Sequence, residues 1–329
     1  MKRTEWASAL KSTRGQYKEW QSDPDLVIDP HREQGEVNEP EDVTEFDHPL
    51  KQSEQSVWYK YFQDNEILHE IEKDVHRTFP HLHFFQIDNP DDTMSGRLIQ
   101  NEHYRSLRRI LFLYAKLNRG ISYIQGMNEL LAPIYYSFAT DPDTEWKSYA
   151  EEDAFWCFTN LMSELRDNFD KSHDQAINGI QERMKVFNNI LKMKDPALWL
   201  DLESKQMNPQ FYSFRWITLL LSQEFELPDV LRIWDTLFSD EKRFDQLLYI
   251  CTAMLIRLRK DILAADFAET LKLLQTYPPC DVLEIIQFSR EIAHPDYYYS
   301  PPVQEEEQEG EGGTDGIEVL LQSSLHEKE

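Results

Sequence analysis

Residues 121–138, ISYIQGMNELLAPIYYSF, decide the fold class of this chain. The apolar residues in the second half of this stretch recur at helical spacing, so they predict an apolar helix. Pro133 lies inside this helix and predicts a kink in it. Tyr123 and Gln125 precede the apolar run and therefore lie near the helix N-terminus. Such an end presents free N–H groups and a partial positive charge, which suit the approach of a nucleotide phosphate.

A second amphipathic helix is predicted upstream of this stretch. It begins near Asp64 or Asn65, either of which can cap it, and it ends before Pro80. Its apolar stripe consists of Ile67, Leu68, Ile71, Val75 and Phe79. At roughly 100° per residue, Asp74 falls about 90° and Arg77 about 150° from the centre of this stripe. We therefore expect Arg77 to point away from the core.

Helical patterns cover most of the remaining chain, and they predict an all-α protein. Residues 1–21 predict a short amphipathic helix, and a further helix runs through Leu107 and Leu117 to its stop at Gly120. The downstream patterns are at 151–168, 176–193, 195–206, 211–225, 228–238, 244–259, 266–275 and 279–293. No fixed-period repeat links them, which argues against a solenoid.

The composition supports a packed helical protein and limits its partners. The chain has 329 residues, of which 40% are hydrophobic, and only 10 are glycine. The net charge of −26 would repel nucleic acid and anionic lipid headgroups, so we expect neither nucleic acid binding nor direct membrane insertion. Residues 22–47 carry ten acids against one arginine and residues 303–329 nine acids against one lysine, which predicts flexible segments.

The cysteines and histidines give no sign of a disulfide framework or a metal site. The chain has 3 cysteines, and they are widely separated in sequence. This favours reduced thiols in a cytosolic protein. No signal peptide or transmembrane run is present, so we expect a soluble protein. His76, His81 and His83 lie close in sequence but lack the spacing of helical metal ligands, and we interpret them as surface histidines. The acids at 151–153 are interpreted as a solvated cap rather than as catalysts.

Loops that bind nucleotides are absent from the sequence. It contains neither G-x-x-x-x-G-K-[ST] nor G-x-G-x-x-G, and it also lacks the G-x-S-x-G motif of serine hydrolases. Any phosphate chemistry would therefore act on a nucleotide that a partner carries. Considered singly, an exposed arginine or a glutamine near a helix start has an ordinary structural interpretation.

Two motifs, in order, resemble those of TBC domains. IEKDVHR at 71–77 resembles the family's I-x-x-D-x-x-R motif, and YIQGMN at 123–128 resembles its Y-x-Q-G-M-N motif. A third similarity lies at 214–225 and continues into LRIWD at 231–235. The resemblance extends over roughly residues 57–293, and the stretches 114–118 and 138–142 are similar to one family member in particular.

This resemblance implies a GTPase-activating protein for a Rab-family GTPase in its GTP-bound form, with a role in vesicle-mediated transport. TBC domains insert an arginine finger and a glutamine finger into the partner's active site, and the matching positions are Arg77 and Gln125. Supporting positions would be Asp74 and Tyr123, and also Gly126 and Asn128 of the second motif. The chain would have no substrate turnover and no cofactor of its own, because GTP and Mg²⁺ belong to the partner. We expect a cytoplasmic monomer that its Rab recruits peripherally to membranes.

The resemblance also implies an elongated, two-lobed helical fold. Residues 1–56 would form an N-terminal helix and acidic loop, 57–150 the lobe with both fingers, 151–297 the second lobe and 298–329 a disordered tail. The family's opening R-x-x-x-W motif is missing, and residues 1–21 do not replace it. Loss of those first helices predicts uncovered apolar surface on the N-terminal lobe.

Two other functions remain open at this point. A non-catalytic module could bind a GTPase or a trafficking protein through the same surface without accelerating hydrolysis. A helical scaffold unrelated to GTPases would show no GTP-dependent binding.

Overall fold

The structure is a computed structural model that describes residues 3–23, 26, 57–85, 101–169, 179–240 and 243–294. Within these residues the regular structure is helical and contains no strand, which confirms the predicted all-α class. The acidic stretch before residue 57 and the tail after residue 294 lie almost wholly outside the described residues, so the expected flexibility of these segments stays a prediction.

The helices follow one another with short connections in most of the described chain. Their bounds are α1 Arg3–Ser22, α2 Val57–His76, α3 Glu102–Leu117, α4 Met127–Ala139, α5 Thr144–Lys147, α6 Ala150–Phe169, α7 Ile180–Lys194, α8 Pro196–Ser204, α9 Ser213–Thr218, α10 Leu227–Ser239, α11 Arg243–Arg257, α12 Arg259–Ala264, α13 Phe267–Gln275 and α14 Val282–Ala293. A short 3-10 helix, Pro209–Phe211, precedes α9.

Helix α2 carries the predicted stripe from Ile67 to Val75, but it begins earlier than predicted and ends at His76, so Phe79 lies beyond it with φ of 41°. Ile71 and Val75 are fully buried where α2 packs on α3 and α4. Asp64, predicted as a cap, is instead buried in the interior of α2, and both its carboxylate oxygens accept hydrogen bonds from Lys116 of α3 at 2.8 and 2.7 Å. Helix α2 extends back to Val57, so Asp64 does not cap it.

The predicted helix at 211–225 is broken in the structure. Helix α9 ends at Thr218, and the following residues form turns in which Leu220 and Leu221 have φ of 50° and 64°. The Leu220 carbonyl accepts a 2.9 Å hydrogen bond from the Trp234 indole N–H, which satisfies a backbone group that a continued helix would have used. Tertiary contact therefore overrides the helical spacing of this stretch.

Helix α1 confirms the predicted N-terminal helix and corrects the interpretation of the acids at 151–153. Tyr17 is 1% exposed, and its hydroxyl donates to Glu151 on α6 at 2.8 Å. The Arg14 guanidinium binds both carboxylate oxygens of Asp153, with Nε to Oδ1 at 2.8 Å. Glu151 also accepts hydrogen bonds from Arg109 of α3. These acids are a partly buried ion-pair network and not a solvated cap, because three helices converge on them.

Helix α1 covers one face of α6 in the N-terminal half. The ring of Trp20 packs on Phe155 and Trp156 at centroid distances of 6.0 and 5.6 Å. Trp6 and Trp146 nevertheless remain substantially exposed. Helix α6 contacts α1, α3 and α4 and also α7 and α9. The predicted lobe boundary after residue 150 stays a prediction. No helix in the described chain is both long enough and apolar enough to cross a bilayer.

Candidate functional site

The predicted arginine lies immediately after the last residue of α2. Its backbone N–H donates to the Asp74 carbonyl at 3.1 Å, which ends the helix in a tight turn. The Arg77 side chain is 56% exposed, as the helical geometry predicted, and its Nη2 donates to Oδ1 of Asp74 at 2.6 Å. The guanidinium is therefore held on one side while its other donors face solvent.

Asp74 joins this arginine to the second motif. Its carboxylate is buried, and Oδ2 accepts a 2.6 Å hydrogen bond from the Tyr123 hydroxyl. Burial raises the pKa of the Tyr123 phenol, and the hydrogen bond to Asp74 raises it further, so the phenol stays protonated as a donor. Asp74 thus uses one oxygen for the guanidinium and the other for the phenol.

The predicted glutamine lies on the exposed turn before α4. Gln125 is followed by Gly126, whose φ of 102° lies in the left-handed region. The backbone angle favours glycine here, and a Cβ at Gly126 would lie 2.7 Å from Cδ2 of Leu219 and would displace that side chain. The turn therefore brings Gln125 to the surface while its next residue packs against the segment after α9.

Asn128 ties the start of α4 to the end of α2. Its side chain is buried, and its Nδ2 lies 2.9 Å from the Thr78 hydroxyl and 3.3 Å from the Asp74 carbonyl. The same nitrogen lies 3.2 Å from Oε1 of Glu129. Because an amide nitrogen carries two hydrogens, these three acceptors share its donors. The two motifs are held together through this buried amide.

Hydrogen bonds connect four of the six predicted residues, namely Arg77, Asp74, Tyr123 and Asn128, and Gln125 and Gly126 lie between Tyr123 and Asn128 in sequence. The exposed members of this cluster are Arg77 and Gln125, and the buried or backbone members are Asp74, Tyr123, Gly126 and Asn128. Arg77 and Gln125 are 48 positions apart in sequence, yet one hydrogen-bonded path through Asp74 and Tyr123 connects their segments.

Sequence reasoning missed four residues of this cluster, namely Thr78, Glu129, Leu219 and Gln223. Glu129 could have been noticed as a carboxylate that interrupts the apolar run of α4. Burial raises its pKa from 4.5 to about 7, against the lowering effect of hydrogen bonding from Gln223. Leu219 and Gln223 carry no local signal, because their contacts with this cluster exist only in the folded chain.

No metal-binding cluster is present among the described residues. They contain no group of three or more histidine, cysteine, aspartate or glutamate side chains that could hold a metal ion. His76, His81 and His83 are exposed around the end of α2.

Comparison with known proteins gives consistent similarities. The sequence model of the Rab-GTPase-TBC domain matches residues 38–263, a range that contains the cluster but excludes α1, α13 and α14. The chain is 43% identical over 345 residues to TBC1 domain family member 13 of Mus musculus, covering 89% of this chain and 86% of that protein. Identity to TBC1 domain family member 13 of Homo sapiens is 42% over the same length. This is the family member that the stretches 114–118 and 138–142 indicated.

Among solved structures, the fold is similar to the crystal structure of the Ypt/Rab-GAP domain of Gyp1p. The TM-score is 0.65 at 22% sequence identity, covering 89% of this chain and 82% of that chain. At this identity the likeness supports the fold alone, and it agrees with the all-helical architecture described above.

Proposed function

Because this chain belongs to the Rab-GTPase-TBC domain family, we propose that it is a GTPase-activating protein that completes the active site of a Rab GTPase. The partner would be GTP-bound and would carry the nucleotide and Mg²⁺, since the chain has no nucleotide-binding loop of its own. The chain would act as a monomer and turn over no substrate alone. Its membrane contact would come from the Rab that recruits it, with a role in vesicle-mediated transport.

In this proposal Arg77 stabilises the charge that hydrolysis creates. GTP hydrolysis builds negative charge on the transferring phosphoryl group and its leaving oxygen. A guanidinium placed there from outside the GTPase accelerates hydrolysis by roughly 10³ to 10⁵. Lysine is a poor substitute, because a point charge cannot reproduce the planar fork of donors.

Gln125 would take the role of positioning the attacking water. A side-chain amide has both a donor and an acceptor, so it can contact the phosphate and orient water at the same time. The proposal assigns Asp74 and Tyr123 to positioning: Asp74 holds the guanidinium, and the Tyr123 phenol fixes Asp74.

The observation that carries this proposal is the shared carboxylate of Asp74. It is buried, it binds the exposed Arg77 at 2.6 Å, and it binds Tyr123 at 2.6 Å two residues before the exposed Gln125. This buried link fixes the exposed arginine relative to the segment that carries the glutamine. Such a link is what two side chains acting on one phosphate require.

A single-turnover phosphate-release assay tests this proposal. Rab GTPases loaded with GTP are mixed with excess chain, and binding to the GTP-bound and GDP-bound forms is measured in parallel. An activator accelerates release from at least one Rab. A non-catalytic binding module would bind the GTP form and leave the intrinsic rate unchanged, and an unrelated scaffold would bind neither form selectively.

A further inference from the structure

The buried carboxylate of Glu129 has no part in the proposed chemistry. It lies in the first turn of α4, is 6% exposed, and accepts a hydrogen bond from the Asn128 amide at 3.2 Å. Burying a carboxylate is unfavourable for its charged form. The helix N-terminus and the hydrogen-bond partners of Glu129 therefore have to offset this cost.

A second segment of the chain contacts this region at two points. In the turns after α9, Leu219 packs against Gly126, and the Gln223 amide lowers the pKa of the Glu129 carboxyl by hydrogen bonding. Thus one contact lies next to Gln125 in sequence and the other lies in the first turn of α4.

The turns after α9, which contact this region, are themselves held by two further interactions. Glu224 receives a bidentate ion pair from Arg215, with Nε to Oε1 at 2.6 Å and Nη2 to Oε2 at 2.9 Å. The Leu220 carbonyl accepts the Trp234 indole N–H at 2.9 Å. The turn can therefore serve as a rigid platform for the Gln125 loop.

The charged neighbours of Glu129 are the residues of the cluster. After burial and the two amide hydrogen bonds, Arg77 lowers and Asp74 raises the pKa of its carboxyl. Conversely, Glu129 raises the pKa of the Tyr123 phenol. Glu129 therefore interacts electrostatically with Arg77, Asp74 and Tyr123, the three residues that link the two motifs.

We propose that Glu129 is a positioning residue whose carboxylate ties the first turn of α4, and the Gln125 loop before it, to Gln223 in the turns after α9. The role rests on the proposed GTPase-activating function and extends it. Ionised Glu129 accepts hydrogen bonds from the amides of both Asn128 and Gln223. Protonation removes the negative charge that strengthens both of these hydrogen bonds, so the loop is held less firmly.

This role predicts a pH dependence of stimulated hydrolysis. With the pKa of Glu129 at about 7, the ionised fraction rises about tenfold between about pH 6 and pH 8. The stimulation by the parent chain, corrected at each pH for the intrinsic rate of the same Rab, is therefore expected to rise by up to about tenfold over this range.

The variants Glu129→Gln and Gln223→Ala test the assignment with the most responsive GTP-loaded Rab of the panel. Glu129→Gln is expected to give a stimulation that no longer changes with pH, because its side chain does not titrate. Gln223→Ala is expected to move the midpoint of the profile to higher pH, because a hydrogen bond that lowers the pKa of Glu129 is lost. Glu70→Gln, at an exposed position on α2, is the matched control and should keep the parent profile.

A merely structural role for Glu129 would lower the stimulation equally at every pH, and melting temperatures of all variants identify any that are unfolded. If folded Glu129→Gln kept the parent's pH dependence, or Gln223→Ala left the midpoint unchanged, the positioning role would be refuted while the proposed function stood. If the parent stimulated no Rab at any pH, the proposed function would be refuted, and this role with it.

Discussion

The Tyr123 hydroxyl donates a 2.6 Å hydrogen bond to Oδ2 of Asp74, a carboxylate whose other oxygen binds Arg77. This contact connects a residue of the second motif to the last turn of α2 across 49 positions of sequence. The exposed arginine and the exposed Gln125 are therefore not independent surface residues. The Asp74 carboxylate holds the arginine directly, and through Tyr123 it is also tied to the segment that carries Gln125.

The first prediction concerns that hydrogen bond. Tyr123→Phe removes the donor and leaves a buried Asp74 oxygen without it, which costs about 1 to 3 kcal/mol of unfolding free energy. Because Asp74 then holds Arg77 less firmly, we expect kcat/KM for stimulated hydrolysis to fall at least about tenfold. Tyr136→Phe on α4 is the control, because the Tyr136 ring packs against Phe84 and Phe85 and not against Asp74. Equal activity of the two variants would contradict the positioning role of Tyr123.

The second prediction concerns Gly126. Alanine there would have to adopt a φ of 102° and place its Cβ 2.7 Å from Leu219 Cδ2. We expect Gly126→Ala to lower the unfolding free energy by about 1 to 3 kcal/mol and to displace the Gln125 loop, which reduces stimulation. Urea unfolding and phosphate release measure the two effects. Gly120→Ala is the control, because a Cβ at Gly120 has nothing within 4 Å, and it should change neither quantity.

The third prediction concerns stability and pH at Glu129. Its pKa in the folded chain is raised to about 7, mainly by burial, so its contribution to stability is fully present below about pH 4.5 and is lost as the pH rises through 7. Glu129→Gln should therefore be more stable than the parent at pH 8, by up to about 3 kcal/mol, with the difference shrinking towards pH 5. Urea unfolding at both pH values checks this sign. A variant less stable than the parent at pH 8 and equal to it at pH 5 would contradict it.

The fourth prediction concerns the attachment of α1. Arg14→Met leaves the Asp153 carboxylate, which is 6% exposed, without its partner, and we expect a loss of about 3 kcal/mol in unfolding free energy. Adding Asp153→Leu should recover most of this loss, because the buried charge is then absent. Lys18→Met at the largely exposed Lys18 is the control and should have little effect. If Arg14→Met were neutral, α1 would not be held through this ion pair.

Local patterns predicted those features that depend on one helix. The stripe of α2 from Ile67 to Val75 follows from helical geometry, and the structure confirms it. Arg77 is exposed as predicted, although it lies just beyond the end of the helix. The same patterns failed where a distant residue decides the outcome. Asp64 is an interior residue of α2 that pairs with Lys116 rather than a cap, and Trp234 holds the turn that interrupts the predicted helix at 211–225.

The candidate site likewise contains residues that the sequence predicted and residues that it did not. The two motifs identified its six predicted residues, because their order and spacing are visible in the sequence. The contribution of Leu219 and Gln223 was not visible, since these residues meet the cluster only when the turns after α9 fold against α4. Likewise, the acids at 151–153 resemble a solvated cap until α1 and α3 supply their arginines.

The central claim is that Arg77 and Gln125 act together on the phosphate of a partner GTPase. Single-turnover phosphate release from the most responsive Rab, with Arg77→Ala and Gln125→Ala, tests it most directly, and Arg290→Ala at an exposed position on α14 is the control. We expect Arg77→Ala to lose at least about 10³-fold in stimulated rate and Gln125→Ala to lose a large part of it, while the control keeps the parent rate. If both variants stimulated hydrolysis as well as the parent does, the assignment of the two fingers would be wrong.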